Sequence, residues 1–272
     1  MSTNAASVVA ARSVPAGRGW QWIVDAWTLT AGYRPLFVGL VVAFMGLAIV
    51  ASFVPLIGSI VMGLFTPVLQ AGLILGCDAL HRGEPLKVDH LFAGFERHTG
   101  RLVMLGGVSV IAGLVMLLIG AAIVGPQALG PLLSGIPPAP DQMVGIFMRM
   151  LLAALVVVAL SLPFYMAVWF AVPLIALRGV EVGAAMSASF TGCLSNVLPF
   201  LVWSVAVLGL AIVPFLPFVI AAVLRLPVTL LLASALPMML GCIVLAALLF
   251  ASLYTSYRDV FATETEMTSA AR

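Results

Sequence analysis

The stretch LVMLGGVSVIAGLVMLLIGAAIV, residues 102–124, decides the fold of this chain. It contains 23 residues and no ionisable side chain. About 20 apolar residues in a helix cross a bilayer core of roughly 30 Å. Charged residues make up 8% of the 272 residues and AVILMFWYC residues make up 63%, whereas a soluble domain carries about 25% charged residues. The sequence therefore predicts an integral membrane protein.

Five further segments are long and apolar enough to cross a bilayer. They are residues 36–54, 59–77, 150–177, 197–224 and 228–254. Strands of a membrane barrel alternate apolar and polar residues over about 10 positions, whereas these runs are continuously apolar. We therefore expect an all-α integral membrane protein with about six transmembrane helices. The fifth span is rich in proline, and the alternative is a broken helix that leaves five full crossings and a re-entrant piece.

The basic residues predict how the chain is oriented. Six spans place the N-terminal arm, the second loop, the fourth loop and the C-terminal tail on one side, and ten of the twelve Lys and Arg residues lie there. Because basic residues collect in cytoplasmic loops, both termini are predicted to be cytoplasmic. The predicted organisation is a disordered cytoplasmic arm over residues 1–19, a single membrane domain over 20–258, and a disordered cytoplasmic tail over 259–272.

A short amphipathic stretch precedes the first, third and fifth predicted spans. Each is too short to cross a membrane but has one apolar face at helical spacing. The faces consist of Trp20, Ile23, Val24 and Trp27; of Val88, Leu91, Phe92 and Phe95; and, more weakly, of Val182, Met186 and Phe190. A helix of this kind lies in the membrane interface. We therefore expect three units, each an interfacial helix followed by a helical hairpin, with all interfacial helices on the cytoplasmic side.

Two stretches of this sequence resemble a known group of proteins. They are PAGRGWQWI at residues 15–23, and GCDALHRGEPL at residues 76–86 continuing to HLFAGF at residues 90–95. They resemble an uncharacterised family of multi-spanning inner-membrane proteins from Gram-negative bacteria, and the resemblance extends over most of the chain. It implies location in the inner membrane and supplies no activity, ligand or catalytic residue. The layout of interfacial helix and hairpin is also similar, in architecture alone, to membrane domains attached to some bacterial glycerophosphodiester phosphodiesterases.

The histidines are the residues most open to a metal-binding interpretation. His81, His90 and His98 all lie around the second loop, together with four acids. Imidazole and carboxylate suit several divalent ions, but spacings of nine and eight match no helical ligand pair. A solvated loop of mixed charge is the favoured interpretation, and no metal, cofactor or catalytic residue is assigned. The cysteines are too far apart to predict a disulfide framework.

The middle of each predicted span has no charged residue, which argues against ion-coupled transport but not against a pore or a lipid-handling groove. The GxxxG sequence from Gly72 to Gly76 permits close helix approach, and internal packing is favoured over dimerisation.

Three hypotheses for function follow. The leading one is a non-enzymatic inner-membrane protein that binds lipid or a protein partner through its cytoplasmic-side interfacial helices. The partners expected are membrane lipids, another membrane protein or a second copy, but not nucleic acid, since the basic residues are few and mixed with acids. The alternative is a transporter or channel for a small apolar or amphipathic solute, suggested by the prolines in the spans. An enzyme that uses the histidines and acids of the second loop is the least favoured. The candidate binding residues are Trp20, Trp27, Phe92, Phe95, Arg97 and Arg101.

Overall fold

A computed structural model describes residues 11–126, 128, 130, 135, 139–225 and 227–261. Most of these residues are helical and none of them is in a strand, which confirms the all-α prediction. The elements are α1 (Arg18–Leu29), α2 (Arg34–Ser52), α3 (Ile57–His81), a 3-10 helix (Val88–Phe95), α4 (Thr99–Val124), α5 (Pro140–Trp169), α6 (Ala171–Arg178), α7 (Val182–Ser195), α8 (Val197–Ile212), a 3-10 turn (Val213–Phe215), α9 (Leu216–Val223) and α10 (Val228–Phe261).

The described part of the chain contains six helical segments that are long and apolar enough to span a membrane. They are Arg34–Ser52, Ile57–His81, Thr99–Val124, Gln142–Arg178, Val197–Val223 and Val228–Phe261. The six predicted spans are therefore confirmed. The fourth begins earlier than predicted because α5 starts at Pro140, and proline fits the first turn of a helix, where its missing N–H has no helical partner.

Two of these segments are interrupted. α5 and α6 meet at Phe170, whose φ of −95° and ψ of −3° depart from regular helix. In the fifth segment, α8 gives way to the 3-10 turn around Pro214 before α9 continues to Val223. Proline has no N–H to donate to the preceding turn. The fifth span therefore changes to 3-10 geometry at Pro214, but its pieces together cover 27 residues and form one candidate span, so the described residues favour six spans over the alternative of five crossings and a re-entrant piece.

Buried side chains gather at one end of the molecule. In α2 they end at Val41 and in α4 at Gly106, while in α10 they begin at Ala247. α6 is buried over most of its length. We call this the packed end, comprising residues 11–41, 67–106, 169–200 and 246–261. The remaining described parts of the spans form the open end, where most side chains are exposed on the protein surface.

Long-range ion pairs show which segments meet at the packed end. Arg12 pairs with Asp259 at 2.7 Å, which joins the N-terminal segment to the last helix. Arg101 pairs with Glu181, which joins the start of α4 to the loop before α7. Arg178, at the start of the fourth loop, donates to the Phe261 carbonyl at the end of the last helix. The arm, the second loop, the fourth loop and the end of the last helix therefore lie at one end, as six crossings require. The cytoplasmic orientation of that end stays a prediction.

The prediction of a disordered arm needs correction for residues 11–19. The Arg12 backbone N–H donates to the Val260 carbonyl at 2.9 Å, and the Val14 N–H donates to the Asn196 side chain at 2.8 Å. The arm is ordered because distant helices satisfy its backbone groups, which local composition does not reveal. α10 also continues to Phe261, past the predicted start of the tail at residue 259. Residues 1–10 and 262–272 lie outside the described residues.

The stretches predicted as interfacial helices are helical, although their arrangement into three repeated units stays a prediction. The second is a 3-10 helix packed closely on α3. A Cβ added to Gly94 would lie 2.0 Å from the Val68 carbonyl oxygen, and one added to Gly72 would lie 2.4 Å from the carbonyl oxygens of His90 and Leu91. Gly72 therefore serves contact within the chain, which confirms the favoured interpretation of the GxxxG sequence.

Candidate functional site

The tryptophans of α1 divide between two environments. Trp22 is fully buried and packs edge-on against Phe200, with ring centroids 5.2 Å apart. Trp20 and Trp27 are 46% and 44% exposed. The predicted apolar face is therefore only partly correct, since Ile23 is buried inside the protein while the two flanking tryptophans face its surroundings. Trp20 and Trp27 suit the membrane interface, where tryptophan is enriched.

Asp259 anchors α1 to the last helix. Its side chain is 9% exposed and accepts hydrogen bonds from Arg12 at 2.7 Å, from Arg18 Nε at 2.6 Å and from Trp22 Nε1 at 2.9 Å. Burial opposes the charge on Arg18, but its bonds to Asp259 and Asp25 outweigh this and raise the pKa of Arg18. Asp259 was missed in the sequence because its partners lie more than 230 positions away.

Arg34 lies over Trp27 at the mouth of an apolar groove. The guanidinium carbon is 3.8 Å from the centre of the Trp27 ring, and Nη2 donates to the Trp27 carbonyl at 3.0 Å. Nε is buried without a hydrogen-bond partner, and no acid in the described part of the chain pairs with Arg34. The groove has a volume of about 320 Å³ and runs between α2 and α10. Its other lining residues include Thr30, Phe37, Val38, Val244, Ala247 and Leu248.

The predicted aromatic pair on the 3-10 helix is exposed, as the candidate site requires. Phe92 and Phe95 are 52% and 42% exposed, with ring centroids 6.3 Å apart. Leu91, on the opposite side, is 2% exposed and anchors the helix. Phe95 also stacks on Phe65 at 5.7 Å. The arrangement leaves an apolar strip of two rings on the surface of the packed end.

The two candidate arginines differ in their surroundings. Arg97 is exposed and forms no ion pair within the described residues. Arg101 pairs with Glu181 and donates to the Gly179 carbonyl at 2.6 Å. Arg101 therefore holds the second and fourth loops together, and its guanidinium is already engaged. Of the two, Arg97 is the one available to an external anion.

The histidines and acids of the second loop are spread among separate contacts. His90 Nδ1 lies 3.0 Å from the Lys87 backbone nitrogen, and the His81 ring lies 6.4 Å from that of Tyr254. Asp78 accepts a hydrogen bond from the Tyr254 hydroxyl at 2.9 Å. No group of three His, Cys, Asp or Glu residues in the described ranges is arranged to hold a metal ion.

Two other ionisable groups of the packed end, Glu84 and Cys193, have shifted pKa values because of local contacts. The Arg82 hydrogen bond lowers the pKa of Glu84. Burial raises the pKa of Cys193 to about 12, so its thiol stays protonated and unreactive at neutral pH.

These features define a class, an α-helical membrane protein with six candidate spans and one packed end. The chain is 28% identical over 264 residues to a probable inner membrane protein of Burkholderia thailandensis, covering 91% of this chain and 92% of the relative. No protein-family model matches the chain, and no solved structure matches it. The relative and the six apolar helices confirm the resemblance to uncharacterised multi-spanning inner-membrane proteins and support a multi-pass location in the inner membrane.

Proposed function

We propose that this protein is a non-enzymatic inner-membrane protein that binds anionic phospholipid at its packed end, in the cytoplasmic leaflet. The observation that carries the proposal is Arg34, whose guanidinium lies over Trp27 at the mouth of the groove between α2 and α10. A protein partner bound at the same face is the competing outcome, and the experiment below distinguishes the two.

The chemistry of Arg34 favours a phosphate. A guanidinium presents five N–H donors in a planar fork that matches phosphate oxygens. Trp27 fixes the plane of this fork, and the buried Nε has a donor to spare. A basic group near the membrane surface contributes about 1 kcal/mol toward binding anionic lipid. Arg34 therefore offers a site for one lipid phosphate.

The groove below Arg34 suits an acyl chain. Phe37, Val38 and Leu248 line it, and Thr30 is among its few polar residues. A lipid whose phosphate contacts Arg34 would place a chain against these side chains and bury apolar surface. The exposed Trp20, together with Phe92 and Phe95 of the 3-10 helix, would hold the same face at the depth of the headgroups.

The test measures which lipids remain bound to the full chain. The protein is extracted into detergent micelles, and native mass spectrometry follows the binding of added phosphatidylglycerol and phosphatidylcholine. We expect the unaltered protein to prefer phosphatidylglycerol over phosphatidylcholine. Arg34→Gln should bind phosphatidylglycerol about tenfold more weakly, which corresponds to a loss of about 1.4 kcal/mol of binding free energy. Arg225→Gln is the matched control, because it removes one charge from an exposed arginine at the opposite end.

Equal binding by Arg34→Gln and the unaltered chain would contradict the lipid site. Retention of one reproducible protein instead of lipid, lost when Trp20 and Phe92 are changed to Ala, would assign the face to a protein partner.

Transport of a small amphipathic solute is the second candidate function. The break in the fifth span and the interruption at Phe170 favour it, since discontinuous helices form many transporter sites. Proteoliposomes that take up no member of a broad solute panel faster than empty vesicles would count against transport.

A further inference from the structure

Two cavities flank α5 within the membrane-spanning part of the protein. The first has a volume of about 440 Å³ and lies among α3, α4 and α5, and we call it the Gln70 cavity. The second has a volume of about 550 Å³ and lies against α7 and α8. Tyr165 and Trp169 line both. The two side chains therefore form a shared wall between two spaces that the lipid site at Arg34 does not use.

Polar groups at this wall and in the Gln70 cavity have no partner. Trp169 Nε1 is buried and makes no hydrogen bond. The Gln70 side chain, near the middle of α3, makes none within the described residues. Water is scarce at this depth, and unpartnered polar groups there are costly, so a bound polar group that pairs with them is favoured.

The lining specifies the chemistry of the occupant. An indole N–H can donate but not accept, so the occupant needs an acceptor oxygen. The described lining includes no Lys, Arg, His, Asp or Glu, and a charge buried in a membrane without a counter-charge is expensive. Met116, Phe164 and Tyr165 supply an apolar and aromatic surface. The volume lies within the range of roughly 300–1,000 Å³ typical of small-molecule sites.

We infer that the Gln70 cavity binds an uncharged amphipathic molecule from the bilayer. Its carbonyl or ether oxygen accepts hydrogen bonds from Trp169 and Gln70, and its apolar part lies against the aromatic side chains. This site goes beyond the proposed binding of anionic lipid, because it lies at a different depth and selects a neutral ligand.

A glycine in the lining allows the cavity to be filled without a clash. Gly113 lines the Gln70 cavity, and a Cβ built there meets nothing within 4 Å. Gly113→Leu would therefore place a side chain in the space of the ligand. Gly46, on α2, also has nothing within 4 Å of an added Cβ and lines none of the three cavities. Gly46→Leu is the matched control.

The experiment uses the full chain in detergent micelles, with monooleoylglycerol as an uncharged probe that carries an ester carbonyl. Native mass spectrometry measures the fraction of protein that holds one probe molecule. We expect Gly113→Leu to weaken binding at least tenfold through loss of volume. Trp169→Phe keeps a ring but removes the donor, and should weaken binding about fivefold, the effect of a single hydrogen bond. Gly46→Leu should bind as the unaltered chain does.

Helical content and a single elution peak identify variants that are folded. Equal probe binding by the unaltered chain and folded Gly113→Leu would overturn the proposal, whether both bind or neither does. Unchanged binding by Trp169→Phe would overturn the assigned hydrogen bond. Phosphatidylglycerol binding, measured in parallel, should stay constant in all three variants, so failure of this site is distinguishable from failure of the Arg34 site.

Discussion

The packed end and the open end both contain long apolar helices, yet the packed end carries most of the charged residues and the two ends hold their apolar side chains differently. At the packed end Trp22, Tyr254 and Phe261 are at most 1% exposed. At the open end Val50 and Leu118 are 66% and 67% exposed. The packed end also has buried polar cross-links, and its glycines Gly72 and Gly94 contact the backbone of a different element, whereas Gly58 at the open end contacts Ala51 across the adjacent turn. Hydrophobicity alone therefore marks a segment as membrane-spanning, while small and polar residues determine where the helices are joined.

The largest expected effect comes from adding one methyl group to a glycine of the packed end. Gly72→Ala would push its Cβ against the carbonyl oxygens of His90 and Leu91, 2.4 Å away. We expect a loss of about 3 kcal/mol in the free energy of unfolding, since backbone cannot move aside cheaply. The measurement is the midpoint of unfolding in mixed micelles of increasing denaturing detergent.

Gly46→Ala makes the same change at the open end, where an added Cβ meets nothing within 4 Å. Alanine is the better helix former by up to about 1 kcal/mol, so this variant should be unchanged or slightly more stable. Equal destabilisation by Gly46→Ala and Gly72→Ala would remove the contrast between the two ends.

Loss of the carboxylate that joins the termini should have the next largest effect. Asp259→Asn would weaken the bonds to Arg12, Arg18 and Trp22. Removing one partner of a buried ion pair costs 3–5 kcal/mol, but both arginines are more than a third exposed, so we expect about 2 kcal/mol. Thermal unfolding in micelles measures the loss, and trypsin should cleave faster after Arg12 and Arg18.

Asp25→Asn is the control for this change, because its pair with Arg18 spans 3.2 Å and Asp25 is 44% exposed. It should cost less than about 0.5 kcal/mol. An Asp259→Asn protein with the same midpoint and the same tryptic resistance as the unaltered chain would refute the anchoring role.

A smaller effect is expected where the second and fourth loops meet. Glu181 is 72% exposed, so solvent screens its pair with Arg101. A double-mutant cycle with Arg101→Gln and Glu181→Gln should give a coupling energy below about 1 kcal/mol. A coupling energy above about 2 kcal/mol would contradict this expectation and would show that the Arg101–Glu181 pair contributes substantially to the stability of the packed end.

The smallest expected effect is the pH dependence of the contribution that Glu84 makes to stability. The hydrogen bond from Arg82 lowers the pKa of Glu84 in the folded state. Its contribution to stability is therefore present above the unfolded pKa and is lost as pH falls through the lower folded value. The midpoints of the unaltered chain and Glu84→Gln should converge as pH falls from about 7 to about 3. A difference between the two midpoints that grows as pH falls would contradict a lowered pKa of Glu84 in the folded state.

Hydropathy predicted the six spans because an uninterrupted apolar run of about 20 residues matches the thickness of the bilayer core. It did not show which tryptophan of α1 is buried, since Trp22 inside the protein and Trp20 facing its surroundings look alike in an apolar sequence. Asp259 was missed for a different reason. Its partners are distant in sequence, and a single sequence contains no signal that joins them. Gln70 and Trp169 resembled ordinary span residues until the structure placed them around one cavity.

The arm, the second loop, the fourth loop and the end of the last helix lie at one end of the molecule, and we predict that this end faces the cytoplasm. The most direct measurement is cysteine labelling with a membrane-impermeant maleimide, in a chain whose three native cysteines have been replaced by serine. Arg97→Cys reports on the packed end, and Leu56→Cys reports on the open end. We predict that Leu56→Cys reacts in intact spheroplasts and Arg97→Cys reacts only in inverted vesicles. Labelling of both positions from the same side would contradict the arrangement of the spans, and the reversed pattern would contradict the cytoplasmic orientation.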